Sequence, residues 1–157
     1  IVFAEELIFR GWLFSELSYY LDKKKSILLQ AIIFSLAHIR FDSEFFPLMS
    51  LLLGLFLLGI ILGVRRVLDR GSFFGCIGLH GGLVGIWFFI TNGLIYVSSS
   101  SPFWIIGPGR FSPNPIGGFL GIISLFILLI SQFNAFRAAY LTFDFGTFNA
   151  SSRGANP

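Results

Sequence analysis

Five apolar stretches alternate with short polar ones along this chain of 157 residues. The first covers about residues 1–20 and stops at Asp22-Lys23-Lys24-Lys25. The second runs from Ser26 to about Ile39, followed by Arg40-Phe41-Asp42-Ser43-Glu44. The third starts near Pro47, a residue suited to a first helical turn, and ends before Arg65-Arg66. The fourth covers about Phe73 to Val97 and the fifth about Gly117 to Ser131. A helix needs roughly 20 apolar residues to span a bilayer. The second and fifth stretches are short for that, and extend into their loops or cross only part of the membrane. The pattern predicts an all-α, polytopic transmembrane helix bundle of about five helices. Serine, proline and glycine between Ser98 and Pro115 predict a loop without helix, with Phe103 and Trp104 resting at the interface. Residues 1–134 read as one membrane domain and residues 135–157 as a polar, poorly ordered C-terminal tail. The pattern is already helical at Ile1, which predicts further helices upstream.

Composition sharpens this class. Hydrophobic residues make up 55% and charged residues only 12%, about half the charge of an ordinary soluble domain. Mean hydropathy is +0.82. The net charge of +3 comes from loop clusters, so no nucleic-acid partner is expected, and the partners this composition implies are membrane lipids. Five alternating helices put Lys23, Lys24, Lys25, Arg65, Arg66, Arg70, Arg137 and Arg153 on one side, and only Arg40 and Arg110 on the other. The excess of basic residues marks the cytoplasmic side. It predicts a multi-pass membrane protein whose first loop, third loop and C-terminal tail are cytoplasmic. The lone Cys76 has no partner for an internal disulfide and reads as a packing residue.

Against this apolar background a few residues stand out. Glu5, Glu6 and Arg10 lie inside the first apolar stretch, where each charge costs roughly 2.5–3.5 kcal/mol at a helix centre. Glu6 and Arg10, four apart, share a helical face and can pair. Glu5 points elsewhere and is left available. His38 ends Phe34-Ser35-Leu36-Ala37-His38, and His80 lies among Gly75, Gly78, Gly81, Gly82 and Gly85. Those glycines predict close approach of neighbouring backbones and space beside the imidazole. At 1.5 Å rise per residue, Glu5 lies ~24–27 Å, and His38 ~18–20 Å, from the first loop. His80 lies ~15 Å from the third loop. The three can therefore share one layer of the membrane. A carboxylate with imidazoles suits general-base activation of water. Glu5, His38 and His80 could equally hold a divalent metal such as zinc. A structural ion-pair cluster and a proton-relaying transporter are the competing readings.

The three motifs Glu5-Glu6-x-x-x-Arg10, Phe34-x-x-x-His38 and His80, in this order and in separate apolar stretches, resemble those of the CPBP family (CAAX prenyl protease and bacteriocin-processing, or Abi, proteins). The resemblance covers roughly residues 2–92. It implies a membrane fold of about eight helices, of which this chain supplies the catalytic half, and an intramembrane endopeptidase activity on a peptide or protein substrate. It implies that Glu5 and His38 activate the attacking water and that Glu6 and Arg10 support the site. It places His80 in the group that stabilises the oxyanion. One position departs from the pattern: the family's third motif is commonly His-x-x-x-Asn, and here the fourth residue after His80 is Val84. That departure supports an alternative, a non-catalytic member of the scaffold acting in bacteriocin self-immunity or as a membrane partner.

Overall fold

The computed structural model describes residues 1–39, 41, 44–98, 101–108 and 114–153. Helices are the regular elements of the described residues, which contain no strand. The first apolar stretch forms a continuous helix in three parts: α1 (Val2–Glu6), a π-wound segment (Leu7–Leu13) and α2 (Phe14–Tyr20). The backbone stays helical through the junctions at Glu6 and Leu13. Leu21 turns extended and ends it. Asp22 then caps α3 (Lys23–Leu36), its side chain accepting a hydrogen bond from the Lys25 N–H at 2.9 Å. That bond and the Lys25 ammonium hold the Asp22 carboxyl below its ordinary pKa. The cap offsets the unfavourable placing of three lysines at the positive end of a helix dipole.

Helix α4 (Phe45–Leu68) is the centre of the bundle, packed against α3, α5 and α7. It runs antiparallel to α3: Ile27 and Gln30 face Gly63, Ala31 faces Gly59, and Ser35 reaches Leu52. The spacing Gly59-x-x-x-Gly63 makes this crossing close. A Cβ at Gly59 would sit 2.9 Å from Ala31 Cα, which is the role small residues play between membrane helices. Two side chains of α3 use the closeness. Gln30 donates to the Gly59 carbonyl at 2.7 Å and Ser35 to the Leu52 carbonyl at 2.8 Å. Phe34, Leu55, Leu58, Ile61, Leu62, Cys76 and Leu125 build the main core.

Helix α5 (Phe74–Gly93) follows a tight turn through Arg70 and Gly71, both at positive φ. Only Cys76 and His80 are buried on it, with the Cys76 thiol donating to the Leu62 carbonyl at 3.2 Å, in keeping with a packing role. Two sequence expectations need correction here. The segment between the fourth and fifth stretches contains a short helix, α6 (Phe103–Ile106), and a 3-10 turn (Pro115–Gly117) started by the Asn114 side chain. Serine and proline bound these elements without excluding them. Helix α7 (Phe119–Arg153) also runs well past residue 134.

Helices α4 and α5 are each long and apolar enough to cross a membrane, and Phe119–Ala135 of α7 is a shorter apolar stretch. The outer surfaces carry large apolar side chains, among them Trp12, Leu53, Ile86, Phe88 and Ile130. The charged pair Glu6 and Arg10 faces inward with no exposure at all. Apolar outside and ionic inside is the arrangement of a bundle solvated by lipid.

Candidate active site

The π-wound segment (Leu7–Leu13) begins inside the Glu-Glu-x-x-x-Arg motif and runs three residues past Arg10. Such i→i+5 winding is uncommon and is frequent at functional sites. Arg10 lies in it and reaches back to Glu6, Nη1 to Oε1 at 3.1 Å, with both side chains fully buried. Glu6 Oε1 also accepts from His80 Nδ1 at 2.8 Å, so one carboxylate oxygen ties the first helix to α5. The Arg10 guanidinium lies 4.2 Å over the Phe34 ring, which brings α3 into the same knot. A buried ion is tolerable only when it is paired in this way. Glu6 Oε2 and the Nε and Nη2 of Arg10 have no protein hydrogen-bond partner among the described residues.

Glu5 is a quarter exposed and stands clear of this pairing. Its two oxygens face two imidazoles: Oε1 lies 4.0 Å from His38 Nε2, and Oε2 lies 3.9 Å from His80 Nε2. The site residues expected from the sequence are thus brought together, Glu5, His38 and His80 around one space, with Glu6 and Arg10 beneath.

The hydrogen bonds set the tautomers. His38 Nδ1 lies 2.8 Å from the Phe34 carbonyl oxygen. A carbonyl can only accept, so Nδ1 carries the proton and Nε2 presents its lone pair to Glu5. His80 Nδ1 donates in the same way to Glu6 Oε1, so in the neutral ring the Nε2 lone pair faces Glu5 as well. His38 gets there because α3 has already ended: its N–H bonds to the Ser35 carbonyl at 3.1 Å, a tightened last turn. Each Nε2–Glu5 gap is too long for a direct hydrogen bond and suits one bridging water.

Two imidazole lone pairs and a carboxylate are chemically suitable donors for zinc. As arranged they do not form that site. The two Glu5 oxygens turn to different imidazoles, and among the described residues no group of three His, Cys, Asp or Glu is placed to hold a metal ion.

The glycines around His80 behave differently from expectation. Close backbone approach was expected at all of them. The nearest atoms to a Cβ on Gly75 are instead the side chains of Asp69 and Arg65, one on Gly81 would meet Val2 Cγ1 at 3.8 Å, and one on Gly78, Gly82 or Gly85 would meet nothing within 4 Å. Those three lie on the exposed side of α5, about half a turn round from the buried His80. Val84, one turn beyond His80, is half-exposed. Sequence reasoning missed the π winding, the Phe9–Phe34 ring contact at 5.0 Å and the polar bonds from Gln30 and Ser35. The Gly59-x-x-x-Gly63 spacing was a signal for the last of these.

A polytopic helical bundle with glutamate and histidine gathered on its apolar interior defines the class: a membrane-embedded protein of intramembrane-protease type. The chain matches the family described as "Type II CAAX prenyl endopeptidase Rce1-like" over residues 1–86. This chain belongs to that family, a protease family consistent with the CPBP resemblance. No curated protein and no solved structure matches it.

Proposed function

We propose that this chain carries the catalytic residues of an intramembrane endopeptidase that cleaves a CAAX-type or bacteriocin-type peptide with an activated water. The observation that carries the reading is the Glu5 carboxylate flanked by two imidazole Nε2 atoms at 4.0 and 3.9 Å, each ring already pinned through Nδ1. A water between Glu5 Oε1 and His38 Nε2 donates one hydrogen to each. Its lone pair is then left to attack a peptide carbonyl, which is general-base geometry. On attack the water's proton passes to Glu5, the carbonyl π bond becomes an oxyanion, and a tetrahedral intermediate forms. Collapse breaks the C–N bond, and the proton held by Glu5 goes to the leaving amine. The products are a carboxylic acid and an amine.

His80 faces the same space. It can donate to the oxyanion only when Nε2 carries a second proton, since its Nδ1–H is spent on Glu6. Glu6 and Arg10 hold His80 in place and need not touch the substrate. The same reading places the lysine- and arginine-rich first and third loops and the C-terminal tail in the cytoplasm, and membrane lipids around the bundle.

Cleavage of a farnesylated CAAX peptide by the purified chain in lipid is the test. Glu5→Gln keeps the shape and removes the base, and should lower kcat by about 10²–10⁴. Turnover at the wild-type rate in well-inserted Glu5→Gln protein would rule the mechanism out. Val84, apolar where the family motif commonly carries asparagine, favours the second reading, a non-catalytic scaffold member acting in bacteriocin self-immunity or as a membrane partner. Absence of cleavage across many peptides would support it.

A further inference from the structure

We propose that Phe34 is a positioning residue of this site, whose aromatic face fixes the Arg10–Glu6–His80 chain while its carbonyl fixes His38. The proposal rests on the endopeptidase reading for its catalytic consequence, and on geometry alone for its structural one. Phe34 is fully buried and stands where three helices meet. Arg10 Cζ lies 4.2 Å from its ring centroid. The Phe9 ring meets it edge-on at 5.0 Å and the His80 ring edge-on at 6.1 Å. The His38 ring lies tilted at 4.7 Å. Edge-to-face pairs and a cation over a ring face are the arrangements an aromatic quadrupole favours, and the cation pair is strongest where water is excluded.

The guanidinium has few other holds. Nη1 binds Glu6, while Nε and Nη2 have no protein hydrogen-bond partner among the described residues. The π face of Phe34 is therefore a main restraint on where Arg10 sits. Arg10 in turn orients the Glu6 oxygen that holds His80 Nδ1. Through its own carbonyl, Phe34 also holds His38 Nδ1–H at 2.8 Å. One residue thus sets both Nε2 lone pairs toward Glu5, one through its ring and one through its backbone.

An apolar spacer would do none of this electronically, and that difference can be measured. The chain is prepared in lipid nanodiscs with phenylalanine, 3,4,5-trifluorophenylalanine or leucine at position 34. Fluorination drains the ring face while nearly keeping its shape, so the fluorinated variant stays informative even if Phe34→Leu does not fold. Two readouts are taken: the imidazole nitrogen resonances, which report tautomers without any turnover, and cleavage of the farnesylated peptide. The fluorinated chain should lose part of the Nδ1–H tautomer of His80 while that of His38, held by the backbone, persists. Its kcat should fall about tenfold, with KM changing less than about twofold. Wild-type tautomers at both histidines in the fluorinated and leucine chains would overturn the proposal. If the wild type cleaves no peptide, only the endopeptidase reading fails, and the tautomer shift still decides the role of Phe34.

Discussion

Glu6 and His80 are joined by a hydrogen bond of 2.8 Å between residues 74 positions apart. The acceptor oxygen is the one that pairs with Arg10. This contact fixes the first helix against α5, while the neighbouring Glu5 faces His38 and His80 rather than Arg10. Two adjacent glutamates therefore have separate duties, one structural and one facing the space between the imidazoles.

That division makes Glu6→Gln a stability variant first. It would leave the buried Arg10 cation without its counter-charge, and breaking a buried pair in this way costs roughly 3–5 kcal/mol. Thermal unfolding in detergent should show a clear drop for Glu6→Gln and little change for Glu5→Gln. Equal melting of the two variants would contradict the assignment of duties.

Gly59 sets the approach of α3 to α4. A Cβ there would meet Ala31 Cα and Cβ at 2.9 Å each, so Gly59→Val forces the helices apart at a cost of about 1–3 kcal/mol. The Gln30 bond to the Gly59 carbonyl would lengthen with it, and His38, just beyond the end of α3, would shift from Glu5. Lower melting together with lower cleavage per folded molecule is the expected result. Unaltered melting would show that the crossing is looser than described.

Val84 lies one turn after His80 on the same helical face and is half-exposed. An asparagine there would present an amide beside the imidazole. Val84→Asn should raise kcat with little change in KM, the signature of an added transition-state interaction. Rates must be compared per folded molecule, since an unbonded amide also costs stability. An unchanged rate from an active wild type would show that another group already serves the oxyanion.

The basic loops give a prediction about sidedness. Lys24 at the start of α3 and Phe41 after its end are both exposed. Single cysteines at these positions, in a Cys76→Ala background, should label from opposite faces of a sealed vesicle, with Lys24 on the cytoplasmic face. Labelling from one face only would refute the arrangement.

The sequence by itself determined the helices and the chemistry. Long apolar stretches interrupted by basic clusters leave lipid-solvated helices as the economical reading, because backbone polar groups must be satisfied within each helix. The cost of carboxylates and imidazoles in that setting singles out Glu5, Glu6, Arg10, His38 and His80. Their spacing also gave the Glu6–Arg10 pair, since i and i+4 meet on any helix. Only the tertiary structure decided what lies across the gaps. That His80 turns Nδ1 to Glu6, that His38 turns Nδ1 to the Phe34 carbonyl, and that Phe34 sits under Arg10 all depend on how three helices are docked. Local periodicity carries no information about that docking. The helix at Phe103–Ile106 and the continuation of α7 were likewise hidden, because proline, serine and polar residues lower helix propensity only as a weak prior that context overrides.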